Sequence, residues 1–269
     1  MKGRVLIIAG SDSGGGAGIQ ADIKAVTALG GFAMTAITAL TAQNTLGVHG
    51  VLGVDPAFIR RQMAVVLEDL GADALKTGML HDVPVIEAVS AEIALRAKGV
   101  PLVADPVMVA KGGHPLLAPE AVGALKARLL PLASLITPNL PEAEVLTGRP
   151  IRDVPAMREA AAALRGLGVP AVLLKGGHLP GDEVTDLLVT AEGEEAFTSP
   201  RIATRHTHGT GCTLASAIAA GLAQGMALRE AVVRARAYVH AAIAAAPGYG
   251  SGHGPLDHGI TFDPARLPR

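Results

Sequence analysis

The sequence predicts an α/β fold of the doubly wound kind, a mostly parallel sheet flanked by helices on both faces with an antiparallel hairpin at its edge. Three observations predict it. Short apolar runs alternate with longer helix-like segments along the whole chain. Six of those runs end in polar or glycine-rich residues, as strands of an open sheet do where ligands bind beyond their carboxyl ends. No linker, internal repeat or low-complexity block divides the 269 residues, so a single domain over 1–269 is expected.

The first strand is read at 4–9, an apolar run that closes on Gly10-Ser11-Asp12, and the first helix at 19–28. A strand at 34–40 leads into Thr41-Ala42-Gln43-Asn44, and a helix follows at 56–70. Residues 74–76 form a third strand ahead of Thr77-Gly78-Met79, with a helix at 83–97 behind it. Residues 102–104 form a fourth, ending on Asp105-Pro106-Val107-Met108, before a helix at 118–130. A strand at 135–137 runs into Pro138-Asn139, with helices at 141–146 and 154–167. The sixth, 171–175, ends on Lys175-Gly176-Gly177. Residues 184–190 and 195–198 flank Ala191-Glu192-Gly193-Glu194 and read as the edge hairpin. Helices at 214–224 and 228–245 complete the pattern.

Composition excludes several function classes. The chain is 49% hydrophobic and 17% charged, which argues for a large buried interior and against disorder. Lys and Arg total 23 against 24 Asp and Glu, so no basic field exists to attract nucleic acid or an anionic membrane. Four Phe, two Tyr and no Trp leave few platforms for base stacking. A lone cysteine fits a reducing cytoplasm. The start, Met1-Lys2-Gly3-Arg4, meets too short an apolar run for a secretory leader, and no segment reads as a spanning helix.

The most informative stretch is Thr207-His208-Gly209-Thr210-Gly211-Cys212-Thr213. Two glycines around a threonine, opening onto an alanine-rich helix, aim backbone N–H groups and the positive end of the helix dipole at one point. The natural occupant is an anion, usually phosphate; alternatively, the glycines only allow a tight turn and Cys212 is a small buried apolar residue. The same field is expected to favour a thiolate at Cys212.

Elsewhere the motifs are individually ambiguous. Ser13-Gly14-Gly15-Gly16-Ala17-Gly18 lacks the spacing of a dinucleotide fingerprint, and no Gly-Lys dipeptide offers a P-loop. These glycines suit close approach of backbone to a small substrate, with Asp22 one turn into the next helix. Asn139 and Glu142 share the first turn of a helix. They read either as a capping pair or as a site where Glu142 holds magnesium through water while Asn139 orients phosphate. Asp105 is a second candidate near the metal, and Lys175, beside two glycines, can reach a nucleotide phosphate. His206/His208 and His253/His258 lack companion ligands at metal-binding spacings.

Taken together, these pieces resemble the ribokinase-like family of small-molecule kinases, and within it the hydroxymethylpyrimidine/phosphomethylpyrimidine kinases of thiamin synthesis. The resemblance runs nearly end to end. It is carried by Ala9-Gly10-Ser11-Asp12-Ser13, Thr41-Ala42-Gln43-Asn44-Thr45, Lys76-Thr77-Gly78-Met79, Asp105-Pro106-Val107-Met108, Thr137-Pro138-Asn139-Leu140-Pro141-Glu142-Ala143, Lys175-Gly176-Gly177-His178 and the Gly209–Cys212 turn. The threonine-flanked Ala42-Gln43-Asn44 and Cys212 are the subfamily marks; the broader family has Asp where Cys212 stands. His114 and His206 depart from the usual residues of the subfamily.

The resemblance implies ATP-dependent phosphorylation of 4-amino-5-hydroxymethyl-2-methylpyrimidine, then of the monophosphate. It implies that Gln43 reads the aminopyrimidine edge, with Gly10, Asp22, Met79 and Val107 lining that pocket. Asn139, Lys175, Thr210 and Asp105 would bind nucleotide, Glu142 magnesium through water, and Gly209, Thr210, Gly211 and Cys212 would form the catalytic anion hole. A small-molecule partner and a homodimer are expected. The rival readings are a pyridoxal kinase and a non-catalytic pyrimidine-binding sensor; Gln43 and Cys212 speak against the first, the ATP-site residues against the second.

Overall fold

The structure is a computed structural model and describes residues 3–110 and 113–262; the leader reading at Met1-Lys2 lies outside them. Among the described residues, nine strands form one sheet in the order β3-β2-β1-β4-β5-β6-β7-β8-β9. The strands are β1 (Arg4–Asp12), β2 (Phe32–Asn44), β3 (Gly47–Gly53), β4 (Ala74–Thr77), β5 (Leu102–Ala104), β6 (Leu135–Ile136), β7 (Val172–Leu174), β8 (Glu183–Val189) and β9 (Glu194–Pro200). From β2 to β7 the neighbours run parallel; β3, β8 and β9 are joined antiparallel.

The period-2 alternation of β1 divides the core. Leu6 and Ile8 face one apolar cluster, and Val5, Ile7 and Ala9 the other. On the second side lie α1 (Gly18–Ala28), α7 (Thr210–Ala223) and α8 (Leu228–Ala244). The first is packed by α2 (Pro56–Asp69), α3 (Val83–Arg96), α5 (Leu140–Thr147) and α6 (Val154–Arg165). Asp55, Asp82, Asn139 and Asp153 each accept an N–H of the helix they precede, and each of these helices has Pro in its first turn.

Three expectations need correction. The strand β3 is absent from the sequence reading, because Gly47, Gly50 and Gly53 hide its apolar alternation. The helix expected at 118–130 is broken: α4 (Ala121–Ala124) passes into a π-turn, Leu125–Leu129, and a 3₁₀ turn, Leu130–Leu132, where Pro131 removes an N–H. The helix expected from 214 begins at Thr210, so the glycine turn is itself its first turn.

Because β1 lies between β2 and β4, the chain runs outward from β1 through β2 to β3 and then crosses back to β4 on the other side of β1. That is the switch point of a doubly wound sheet, where a crevice opens.

Candidate active site

A cleft of about 1250 Å³ lies at that crevice. Its wall includes Gly10, Gln43, Met79, Val107, Asp105, Asn139, Glu142, Lys175 and the turn from Gly209 to Cys212. The strand ends and the α7 terminus have therefore brought together twelve of the thirteen residues singled out above. The exception is Asp22, which is fully buried and does not line the cleft. Lys76 Nζ sits 2.9 and 2.8 Å from its two oxygens, and Ser216 donates to it at 2.7 Å.

The anion hole begins at Gly209, whose φ of +80° admits glycine with least strain. A Cβ there would stand 1.8 Å from the Gly16 carbonyl oxygen, so the turn rests directly on the first glycine loop. No side chain caps α7. The N–H groups of Gly211 and Cys212, in the first helical turn, have no intrahelical acceptor. A cation stands in front of them: a Cβ on Gly211 would lie 3.1 Å from Lys175 Nζ and 3.7 Å from Asp105 Oδ2. Phosphate offered to this point meets a helix N-terminus and an ammonium at once.

Lys175 is not the surface lysine that strand ends usually carry. Its Nζ lies 3.0 Å from Asp105 Oδ1, with side-chain exposures of 14% and 2%. Thr137 donates to the same oxygen at 3.0 Å. Burial acts to discharge Lys175, but Asp105 and Glu142 outweigh it and hold its pKa above the ordinary value. At α5 the capping box is formed: Asn139 N–H donates to Glu142 Oε2 at 2.8 Å, and Glu142 N–H to Asn139 Oδ1 at 2.9 Å. Both residues still face the cleft, so cap and site coincide. Burial, with Asp105 adding repulsion, pushes the Glu142 carboxyl up to about 7 against the pull of Lys175.

Cys212 reverses the expectation of a thiolate. Burial pushes its thiol up to about 12, Asp22 and Asp105 add to the rise, and Lys76 and the Gly18 N–H only partly oppose it. Desolvation, with two carboxylates adding to it, outweighs the helix terminus. The resting thiol is neutral.

Sequence reasoning missed two supports. Lys76, fully buried beside Cys212 and Asp105, is held charged chiefly by Asp22, with Asp105 adding to it, despite its burial. A lysine inside the buried run Ala74–Thr77 was the signal. The second support is Asp12, whose carboxylate accepts from the N–H groups of Gly14, Gly16 and Ala17 and contacts His208 Nε2 at 2.8 Å. It winds the first loop about itself and ties it to the anion-hole turn. From the far end of the chain, Gly254 carbonyl accepts His208 N–H at 3.1 Å, and Thr45 carbonyl accepts His253 N–H at 2.9 Å. The atypical His114 and His206 do not line the cleft.

His258 completes this brace, its Nε2 2.9 Å from Thr213 Oγ1 on α7. Burial, with Lys24 nearby, lowers its pKa to about 4. The unfolded imidazole takes a proton at its ordinary value, so His258 contributes stability above about pH 6.5 that is lost as pH falls toward the folded value. Urea midpoints at about pH 7 and about pH 5 are expected to differ less in His258→Gln than in the parent.

Known proteins share this chain's pattern. The family described as phosphomethylpyrimidine kinase matches residues 12–257. A thiamine biosynthesis bifunctional protein, ThiED, of Geobacter sulfurreducens is 53% identical over 98% of this chain, which spans 54% of that longer protein. A hydroxymethylpyrimidine/phosphomethylpyrimidine kinase of Streptomyces coelicolor is 49% identical, with 95% of this chain and 94% of the relative covered. Among solved structures, an ADP complex of Bacillus subtilis pyridoxal kinase superposes with a TM-score of 0.89 at 40% identity, covering 96% of this chain and 98% of the other. Among the described residues no helix is long and apolar enough to cross a membrane.

Proposed function

The chain belongs to the phosphomethylpyrimidine kinase family, and from that premise we propose that it carries 4-amino-5-hydroxymethyl-2-methylpyrimidine to its monophosphate and then to its diphosphate for thiamin biosynthesis, with ATP as donor. The observation that carries the reading is the convergence of Lys175 and the uncapped α7 terminus on one point of a cleft that also holds Gln43. Phosphoryl transfer is chiefly positioning and charge stabilisation, and these groups supply both.

In this reading Gln43 orients the aminopyrimidine between Met79 and Val107, so that the hydroxymethyl oxygen faces the anion hole. Gly211 and Cys212 N–H groups and Lys175 hold the oxygens of the phosphoryl group in transit. Asn139, Thr210 and Asp105 complete the nucleotide contacts. The donor set fits magnesium: two buried carboxylates, Asp105 and Glu142, line the cleft, and Glu142 is short of positive charge. Among the described residues no cluster of three or more His, Cys, Asp or Glu side chains forms a metal cage; an ion held by two carboxylates would take its remaining ligands from water and nucleotide phosphates. Glu142, through water, and Asp105 would hold it, and the ion supplies charge neutralisation on the phosphates.

Cys212 marks the two-step character. The second nucleophile is an anionic phosphate, which needs no base and is repelled by a fixed carboxylate. A neutral thiol leaves that path open. Cys212→Asp is therefore expected to slow the second phosphorylation about tenfold more than the first, the cost of a like charge held near the nucleophile. Separate steady-state assays on alcohol and monophosphate measure it; equal losses in both would remove this purpose for the cysteine.

The pyridoxal kinase reading is kept as the second because a solved pyridoxal kinase shares the fold closely. Growth of a bacterium lacking its own hydroxymethylpyrimidine kinase, on medium without thiamin, tests the main proposal. Restored growth supports it; rescue confined to a pyridoxal-requiring strain would replace it with the second. A homodimer and a cytoplasmic setting go with the proposal. The exposed Leu40, Leu46, Leu52 and Phe58 beside the β3 edge suit a partner surface, which light scattering would register.

A further inference from the structure

Gln43 is surrounded by groups whose hydrogen-bonding roles are already decided. His208 Nε2 lies 2.8 Å from Asp12 Oδ2. That carboxylate also takes the N–H groups of Gly16 and Ala17 on the same oxygen and can only accept, so Nε2 must carry the proton and donate. At the other end, Thr41 Oγ1 lies 2.9 Å from the Ser11 carbonyl, another pure acceptor. The single hydroxyl proton of Thr41 is spent there, so toward Gln43 its oxygen can only accept. Gln43 stands between the two, Nε2 3.2 Å from His208 Nε2 and Oε1 3.3 Å from Thr41 Oγ1. Each contact sets like against like. A half-turn of the amide, which exchanges two atoms of nearly equal size, lets its N–H donate to Thr41 and sets its oxygen, in place of a second donor, against the Nε2–H that His208 gives to Asp12.

We infer that His208, protonated on Nε2 and fixed by Asp12, is a positioning residue that locks the Gln43 amide with its oxygen toward the imidazole and its nitrogen toward Thr41. Two independent contacts, one at each end, demand the same orientation. The lock uses one N–H, given to Thr41, and one oxygen lone pair, which shares the Nε2 proton with Asp12. It leaves one acceptor site and one donor, the pairing by which a glutamine amide reads an amino group beside a ring nitrogen. The ring class this selects is an aminopyrimidine. A pyridoxal ring bears no amino group beside its nitrogen and gains nothing from the lock. The inference rests on the proposed reading of Gln43 and adds the device that gives that residue its selectivity.

Two measurements test it. The first needs no substrate: long-range ¹H–¹⁵N correlation of the intact protein is expected to show His208 protonated on Nε2, and a bare Nε2 with the proton on Nδ1 would overturn the lock. The second is kinetic. His208→Leu also unties the first loop from the anion-hole turn, so any fall in kcat is expected to be alike for both substrates; the lock is read in KM, expected to rise about tenfold for hydroxymethylpyrimidine, the worth of one oriented hydrogen bond, and to stay unmoved for pyridoxal. His208→Gln, which returns an N–H, is expected to recover most of the KM loss; a merely structural role would move both KM values alike. Gln43→Ala, run alongside, separates the two claims. If it raises the pyrimidine KM and His208→Leu does not, the lock is wrong and the Gln43 reading stands. If Gln43→Ala leaves that KM unchanged, the reading and the lock fall together.

Discussion

Lys175→Met is expected to lower kcat for both phosphorylations about a thousandfold, at the upper end of what removing one preorganised charge at a transition state costs. The reason is position. Lys175 is the cation that stands at the α7 terminus, close enough to crowd a Cβ on Gly211, and Asp105 and Glu142 keep it charged. Arginine is not expected to substitute, because a planar fork does not fit the place of a compact ammonium. Removing the lysine also leaves the buried Asp105 without its partner. Lys175→Met/Asp105→Asn separates the two effects: folding stability is expected to return toward the parent while activity stays low. Recovery of activity in the double variant would show that Lys175 acts only on the fold.

The largest effect on stability is expected at Lys76. The Lys76–Asp22 pair has no exposure at all on either side chain, and Ser216 donates a further hydrogen bond to the carboxylate. Lys76→Met is expected to cost about 3–5 kcal/mol in urea unfolding, because it strands a carboxylate in the core. Lys76→Met/Asp22→Leu, which removes both charges, is expected to regain most of that. The regained fold is not expected to regain activity, since the cation beside Cys212 is gone.

Much of this was legible in the residues. The alternation of short apolar and longer segments disclosed the parallel sheet, and strand ends disclosed the crevice, because both follow from local patterning. Glycine-rich β3 was not legible: it forms by pairing with β2 and carries no signal of its own. Candidate site residues at strand ends came together because topology delivers them there. Asp22 was misplaced because a carboxylate one turn into a helix looks the same whether it faces a ligand or a lysine from β4, 54 residues away. The charge state of Cys212 was misjudged for a related reason. A helix terminus is visible in sequence, whereas the desolvation and the carboxylates that outweigh it belong to the assembled site. Asn139 and Glu142 read either as a cap or as a site, and the capping box that forms leaves both at the cleft.

The most direct test of the central claim is the mass of the products formed when the protein is given magnesium, ATP and hydroxymethylpyrimidine, beside a parallel reaction with pyridoxal. The account predicts pyrimidine monophosphate followed by diphosphate, with little pyridoxal phosphate. Efficient pyridoxal turnover without pyrimidine diphosphate would contradict it.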